Sequence, residues 1–278
     1  MAKGIALTLG LNAVDPKHYG GWDGKLNACE ADADDMAGIA KSRKFNITTL
    51  LTKAATRAKV LAQVKKAAQT LKSGDIFLLT YSGHGGQLPD MNNDEPDGQD
   101  ETWCLYDGEM VDDELYALWG KFAPGVRILV FSDSCHSGTV TKLAYYQGTV
   151  AARGMGATSR EVRYRFMPPD VALRTYRKNK AFYDRILGAK VSPEKQAAVK
   201  ASVLLISGCM DNQVSSDGDF NGLFTGQLLK VWKNGAFTGN YKKFHTMIVS
   251  RMPPDQTPNY FKVGAANPKF EAQNPFTV

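Results

Sequence analysis

Four mainly apolar runs constrain the fold of this chain more than any other feature. They are Ile5–Leu9, Ile76–Tyr81, Val126–Phe131 and Ser202–Ser207. A strand that is apolar along its length is buried on both faces, which is typical of parallel sheets covered by helices. We therefore expect these runs to be strands of one mostly parallel sheet.

Segments with helical spacing of their apolar residues alternate with these runs. Two shorter stretches, Asn46–Leu51 and Asn259–Val263, also look like strands. The alternation predicts an α/β fold in which a mostly parallel, twisted sheet carries helices on both faces within a single domain. The expected helices are Leu26–Arg43, Ala54–Leu71, Asp112–Trp119, Leu223–Trp232 and Lys242–Ser250.

The positive charge of the chain is concentrated in one segment. The net charge is +6, but residues 142–200 contain 13 of the 34 Lys and Arg and only 4 of the 28 Asp and Glu. We interpret this segment as a basic insert with weak periodicity between a first part, residues 1–141, and a last part, residues 201–278. Because the basic residues form one island with few aromatic residues among them, we predict no nucleic-acid partner.

Composition and motifs exclude several other classes of protein. Hydrophobic residues make up 43% and charged residues 22% of the 278 residues, which excludes a disordered or collagen-like chain. No apolar run approaches the roughly 18 residues of a membrane span, so we predict no membrane insertion. The first residues lack the pattern of a signal peptide, and we expect a cytoplasmic protein. No two of the four cysteines form a CxxC pair, so the sequence does not indicate a zinc site of that type.

Two of the strands are followed directly by reactive side chains framed by glycine. His84 lies in the sequence Tyr81-Ser-Gly-His-Gly-Gly86, and Cys135 lies in Ser132-Asp-Ser-Cys-His-Ser-Gly138. Because the carboxyl ends of parallel strands meet at one edge of a sheet, we expect the thiol and the imidazole to form a nucleophile and base pair. The backbone N–H groups of Gly85 and Cys135 are the candidate donors to an oxyanion.

These motifs resemble those of the caspase-like cysteine peptidases, in particular the metacaspase and bacterial orthocaspase branch. YSGHG precedes DSCHSG with His84 and Cys135 51 residues apart, and the chain also carries LNACEADADDM, DGQDE, VDDEL, LLISGCMDNQ, GLFT and QTP. The resemblance implies a caspase-like fold, with residues 1–141 as the p20-like catalytic part and 201–278 as the p10-like part. It also implies a cysteine endopeptidase, expected here as a bare catalytic domain.

The resemblance further implies specificity for Arg or Lys before the scissile bond. The matching positions of the substrate pocket are Cys29, Asp32, Ser82 and Asp133, and two carboxylates suit a guanidinium or ammonium group. An alternative interpretation makes Asp32 a solvated helix residue and lets Asp133 cap a turn.

A calcium site is also implied by the resemblance, with Asp97, Asp100, Asp112 and Asp113 as its candidate ligands. One departure weakens this expectation, because Lys142 stands where calcium-dependent relatives carry an aspartate. The two acids Asp112 and Asp113 are also compatible with a simple role at a helix N-terminus. We expect no required cofactor. The acidic residues are compatible either with a site for Ca²⁺ as an activator or with a role at the helix N-terminus, and both interpretations stay open.

Caspase-like peptidases are often cut between their two parts, and this chain offers basic residues there. We expect self-cleavage within residues 153–185, although a basic surface covering the sheet is the alternative. The predicted partners are protein or peptide substrates, and we expect a monomer. Three rival functions stay open: a catalytically silent regulatory or binding domain, a caspase specific for Asp, and a protein that binds nucleic acid or an anionic surface through the basic insert.

Overall fold

A six-stranded sheet forms the centre of the protein. The computed structural model describes residues 2–91, 98–134, 164–188, 199–208, 217, 220–254 and 256–278. The strand order is β2-β1-β3-β7-β8-β9, and every neighbouring pair is parallel except β8 and β9. The prediction of a mostly parallel sheet is therefore confirmed. The strands of this sheet are β1 (Gly4–Gly10), β2 (Asn46–Leu51), β3 (Ile76–Ser82), β7 (Arg127–Asp133), β8 (Ser202–Ser207) and β9 (Asn259–Gly264).

Helices cover both faces of the sheet, as expected. Buried side chains of α2 and α3 form a core with one face, and buried side chains of α1, α6, α7 and α8 form a core with the other. Within the described residues, no helix has the length and apolar character needed to cross a membrane. The helices are α1 (Cys29–Ser42), α2 (Arg57–Thr70), α3 (Asp112–Trp119), α4 (Pro169–Lys178), α5 (Lys180–Leu187), α6 (Leu223–Trp232), α7 (Tyr241–Val249) and α8 (Pro268–Ala272).

A second, antiparallel sheet was not predicted from the sequence. Its strands are β4 (Gly85–Pro89), β5 (Gln99–Leu105) and β6 (Gly108–Val111). These strands contain glycine, proline and acidic residues, so their composition carries little β signal. The first of them begins one residue after His84, which makes the small sheet a direct support for that side chain.

One part of the basic segment contains helices that its weak periodicity did not predict. Its described part, residues 164–188, contains the helices α4 and α5, neither of which was expected. Both helices are short and present many charged residues, which masks the apolar face formed by Val171, Tyr183 and Leu187. Helix α4 begins at Pro169, shortly after the buried side chain of Arg165.

A buried polar cluster anchors α5 to the small sheet. The backbone N–H of Glu109 on β6 donates to the Tyr183 hydroxyl, 3.3 Å away, and the Glu109 carboxyl accepts from the Thr102 hydroxyl at 2.7 Å. The Tyr183 hydroxyl also lies 2.6 Å from Nε2 of His18. Burial raises the pKa of Glu109 to about 7, although its hydrogen bonds from Thr102 and Tyr183 oppose the shift.

The raised pKa of Glu109 predicts a pH-dependent contribution to stability. The folded state favours the protonated carboxyl, so this stabilisation is present below the ordinary pKa of 4.5 and is lost as the pH rises through about 7. Glu109→Gln cannot ionise. We expect its melting temperature, relative to that of the wild type, to rise by a few degrees between pH 5 and pH 8 in calorimetry.

Glu271→Gln is the matched control, because Glu271 lies at the surface beside Lys262. We expect a difference from wild type that stays constant over the same pH range. A constant difference for Glu109→Gln as well would show that the carboxyl does not titrate in this window.

Candidate active site

The candidate site lies at the carboxyl edge of three neighbouring strands. Register places Gly10 at the end of β1 beside Ser82 of β3, and Ser82 beside Asp133 of β7. In an open parallel sheet this edge is where ligands bind. The motif-bearing ends of β3 and β7 are therefore side by side, as the sequence predicted.

The backbone around His84 is fixed by an aromatic pair. The Tyr81 hydroxyl donates to the backbone carbonyl of His84 at 2.6 Å, and the Tyr81 ring stacks on Trp103 with 4.5 Å between centroids. A Cβ at Gly83 would overlap the Tyr81 ring, so only glycine allows this turn between the two sheets.

The ring of His84 is oriented by a backbone carbonyl. Its Nε2 lies 2.9 Å from the carbonyl oxygen of Gly24 and donates to it, which leaves Nδ1 as the basic nitrogen. Nδ1 is buried and has no hydrogen-bond partner among the described residues. Burial lowers the pKa of His84 to about 4, against the opposing effect of the Gly24 carbonyl. The imidazole is thus neutral at pH 7, the form a general base requires.

A second feature of the site is a buried arginine from the chain itself. The side chain of Arg165 is 0% exposed, and it fills a pocket that we call the acidic pocket. Nη2 donates to the carboxylates of Asp32 at 2.8 Å and Asp217 at 3.0 Å, and Nη1 lies 3.1 Å from the Asp133 carboxylate. Nη1 also donates to the Ser82 hydroxyl at 2.8 Å.

Each carboxylate of the acidic pocket is held by further donors. Asp32 accepts from the Ser82 hydroxyl at 2.7 Å and from the backbone N–H of Gly222 at 3.0 Å. Asp133 accepts from the hydroxyl and the backbone N–H of Thr225, at 2.8 and 3.0 Å. These bonds hold the two carboxylates in place in addition to their contacts with Arg165.

Charge in the acidic pocket is reflected in its pKa values. Burial raises the pKa of Asp32 to about 6, although the Arg165 guanidinium opposes that shift. Burial alone would lower the pKa of Arg165, but the carboxylates of Asp133, Asp32 and Asp217, together with Cys29, outweigh it and raise this pKa well above its ordinary value. The guanidinium therefore stays charged.

The start of α1 brings Cys29 and Asp32 to the pocket. The side-chain carbonyl of Asn12 accepts from the backbone N–H of Cys29 at 2.9 Å and so caps the helix. A Cβ at Gly10 would overlap the Cys29 backbone, so this glycine permits the close approach of β1 to the helix. Burial raises the pKa of the Cys29 thiol to about 12. This thiol therefore lines the pocket as an uncharged group and does not have the character of a nucleophile.

The structure thus brings the four side chains of the predicted substrate pocket together around one guanidinium. They are Cys29, Asp32, Ser82 and Asp133. The alternative of a solvated Asp32 is wrong, because that residue is 1% exposed. The predicted oxyanion donor Gly85 lies next to His84, and its N–H donates to the Arg165 carbonyl at 3.0 Å. The predicted nucleophile Cys135 lies outside the described residues.

The predicted calcium ligands are only partly described. Asp97 and Lys142 lie outside the described residues. Burial raises the pKa of Asp112 well above its ordinary value, and the nearby acids Glu101, Asp113 and Asp100 raise it further. Across the described ranges, no three His, Cys, Asp or Glu side chains are arranged to share a metal ion. The described candidates Asp100, Asp112 and Asp113 are therefore not arranged by themselves as a calcium site.

Several residues of the site were not identified from the sequence. Asp217, Asn221 and Thr225 complete the acidic pocket from the segment around the start of α6. The GLFT motif that begins at Gly222 was one available signal, but it gave no role to any residue. Gly24 had no signal at all, because a backbone carbonyl acts without a side chain.

Comparisons with known proteins show the family to which this chain belongs. The sequence profile of the caspase domain matches residues 3–276. The chain belongs to the caspase-domain family. Similar curated proteins include Metacaspase-1 of Kluyveromyces lactis, 28% identical over 256 residues, and Metacaspase-1A of Aspergillus niger, 30% identical over 254 residues. Each match covers 80% of this chain but only 56% and 60% of the respective relative.

Two solved structures also resemble this one. A crystal structure of a protein from Geobacter sulfurreducens is 66% identical, with a TM-score of 0.89 over 99% of both chains. Caspase-1 from Spodoptera frugiperda is 11% identical with a TM-score of 0.57, covering 95% of this chain and 86% of that one. At such low identity the second match shows the fold alone, and it confirms the expected caspase-like fold.

The close contact between Gly222 and Arg165 predicts a substitution that should disturb the acidic pocket. A Cβ at Gly222 would overlap the buried guanidinium. We expect Gly222→Ala to destabilise the caspase domain by about 1–3 kcal/mol in urea unfolding, because the methyl group overpacks the pocket. Gly226→Ala is the control, since its nearest neighbour would be Asn221 Cβ at 3.7 Å, and it should be neutral or stabilising. Equal stability of the two variants would contradict this assignment.

Proposed function

We propose that this protein is a cysteine endopeptidase that cleaves peptide bonds after Arg or Lys. The observation that carries the proposal is the burial of the Arg165 guanidinium by residues that the sequence had marked as the substrate pocket. A pocket that holds the chain's own arginine has the charge and shape to hold that of a substrate. Membership of the caspase-domain family supports the peptidase activity.

His84 and Cys135 carry the proposed chemistry. Nδ1 of neutral His84 accepts the proton of the Cys135 thiol, and the sulfur attacks the carbonyl carbon of the substrate. His84 then returns the proton to the leaving amine, and water hydrolyses the thioester. The Gly85 N–H, which already binds a carbonyl oxygen at 3.0 Å, supports a role in holding the oxyanion, and we assign the same role to the Cys135 N–H.

The geometry of the acidic pocket favours arginine over lysine. Both terminal nitrogens of the guanidinium are engaged: Nη2 by Asp32 and Asp217, and Nη1 by Asp133 and Ser82. A lysine ammonium is a single point charge and reaches fewer of these acceptors at once. We therefore propose a preference for Arg among the basic substrates.

The rival functions have less support. An Asp side chain would enter a pocket lined by three buried carboxylates, where like charges repel. A catalytically silent domain has no need for the retained His84 and Cys135 or for a neutral, oriented imidazole. We propose protein or peptide substrates, no nucleic-acid partner and a monomeric state.

A panel of fluorogenic peptides tests the proposed function. We expect the wild type to cleave peptides ending in Arg best, then Lys, and not Asp, and we expect Cys135→Ala and His84→Ala to abolish turnover. Asp133→Asn should reduce kcat/KM for Arg peptides by about 10²-fold or more, because a buried charge partner is lost. Cleavage only after Asp, or turnover by either dyad variant, would overturn the assignment.

Asp34→Asn is a matched control for the acidic pocket. Asp34 lies on α1 two residues after Asp32, but its side chain is exposed. Asp32→Asn should lower kcat/KM for Arg peptides strongly, and Asp34→Asn should leave it unchanged. An equal effect of the two substitutions would indicate a general loss of surface charge and not a loss of the pocket.

Calcium dependence is expected to be weak. The ammonium group of Lys142, at the position of an acidic residue in calcium-dependent relatives, would oppose a bound cation. We expect EDTA to leave most of the activity on Arg peptides, and we expect Lys142→Asp to increase the response to added Ca²⁺. Strong inhibition of the wild type by EDTA, reversed by Ca²⁺ alone, would show that Lys142 does not matter.

A further inference from the structure

The backbone around Arg165 lies across the candidate active site as a peptide would. The N–H of Gly85 donates to the Arg165 carbonyl at 3.0 Å, and the N–H of Met167 donates to the Gly85 carbonyl at 2.7 Å. These two bonds form a short parallel bridge between Gly85 and Phe166. The Arg165–Phe166 peptide bond is thereby fixed next to the residue that follows His84.

Three properties of a bound substrate meet at this one peptide bond. The side chain before it fills the acidic pocket, with both Nη atoms engaged. The carbonyl oxygen of Arg165 accepts a hydrogen bond from the Gly85 N–H, which is the proposed donor to the oxyanion. On the leaving side, the backbone of Phe166 lies close enough to the His84 ring to influence its pKa.

Other basic residues of the described part of this segment are unsuited to cleavage. Arg174, Arg177 and Lys178 lie on α4, and Lys180 and Arg185 lie on α5. Their backbone groups belong to helices, whereas peptidases bind an extended backbone through its free hydrogen-bonding groups. Among the described basic residues between 164 and 188, Arg165 alone combines an extended backbone with a place in the acidic pocket.

We propose that the Arg165–Phe166 peptide bond is the site at which this chain cleaves itself, in cis, and that Arg165 occupies the substrate pocket until that cleavage. The proposal rests on the proposed function, because it assigns an internal substrate to the same site. It narrows the expected window of residues 153–185 to a single bond.

The reaction at this bond is the ordinary one for a cysteine peptidase. The Cys135 thiolate adds to the carbonyl carbon of Arg165, and the C–N bond to Phe166 breaks. His84 gives the thiol proton to the departing nitrogen, which becomes the amino terminus of Phe166. Water then hydrolyses the thioester, which regenerates the thiol and leaves a carboxylate on Arg165. No oxidant, reductant or further reactant is needed.

Occupation by Arg165 also determines when the site is open to other substrates. One guanidinium saturates the acidic pocket, so a second basic side chain cannot enter while Arg165 is bound. Before cleavage, Arg165 is part of a continuous chain, and α4 begins on its C-terminal side at Pro169. After cleavage it is the end of a free segment, and a substrate arginine competes with it on equal terms.

The test uses the full chain, with Cys135→Ala as the uncleaved reference. We expect the wild type to yield fragments 1–165 and 166–278 on incubation, identified by intact mass and by Phe166 as a new amino terminus. The rate should be first order and independent of protein concentration, as cleavage in cis requires. Peptide cleavage after Arg is measured on the same samples.

Substitutions at the bond separate the proposal from other cleavage sites. Arg165→Gln should slow this cleavage by about 10³-fold or more, because the buried carboxylates lose their charged partner. Arg165→Lys should retain it at a lower rate. Arg174→Gln is the matched control, since Arg174 is an exposed basic residue of the same segment that pairs with Asp170, and it should be cleaved like the wild type.

Phe166→Pro provides a second variant in case Arg165→Gln does not fold. It keeps the guanidinium and its ion pairs, but the proline ring makes the scissile bond a tertiary amide and crowds the leaving side. We expect a folded chain that is not cut between residues 165 and 166. Cleavage of this variant at the same bond would overturn the proposal.

The possible results distinguish this proposal from the proposed function. A wild type that cleaves Arg peptides but stays intact, or is cut only elsewhere, overturns self-cleavage at Arg165 and leaves the peptidase assignment standing. A wild type that cleaves neither peptides nor itself overturns both. Cys135-dependent cleavage between Arg165 and Phe166, lost in Arg165→Gln and kept in Arg174→Gln, supports both.

Discussion

The burial of one guanidinium among three carboxylates is the interaction on which the rest of the site depends. Removing such charges from water costs several kcal/mol for each ion, and only close pairing with further hydrogen bonds offsets that cost. Asp32 comes from α1, Asp133 from β7 and Asp217 from the segment before α6, so the pocket joins distant parts of the sequence. Without the guanidinium, the three carboxylates would have only neutral hydrogen-bond donors to offset the repulsion among them.

The same edge of the sheet couples this pocket to the imidazole. The Arg165 charge is one of the influences that lower the pKa of His84, after burial itself. A cation in the acidic pocket therefore favours the neutral imidazole, which is the form that accepts a proton. Because the Gly24 carbonyl occupies Nε2, that proton can go only to Nδ1. The acidic pocket and the imidazole are therefore linked electrostatically, although burial has the larger effect on the pKa of His84.

The segment that carries Arg165 is held in place well away from the pocket. Residues 164–188 continue into α4 and α5, and Tyr183 on α5 bonds to Glu109 of the small sheet. The small sheet in turn begins at Gly85, which binds the Arg165 carbonyl. The antiparallel strands thus support both the backbone next to His84 and the segment that lies across it.

Local patterns predicted the main sheet, most of its covering helices and His84 at a strand end, and the resemblance to caspase-like peptidases pointed to Asp32, Ser82 and Asp133. A strand that is apolar along its length is predicted to be buried. Reactive residues framed by glycine indicate where strands end, and in a parallel sheet these ends lie along one edge. The sequence by itself therefore determined the architecture and the chemical character of the site. Only the tertiary structure decided that Asp217 completes the pocket, that the Gly24 carbonyl orients the base, and that Arg165 is the occupant. These are long-range contacts. One is made by a backbone carbonyl, and the others are made by charged side chains outside the helices and the named strands. No local periodicity encodes which partner such a group will meet.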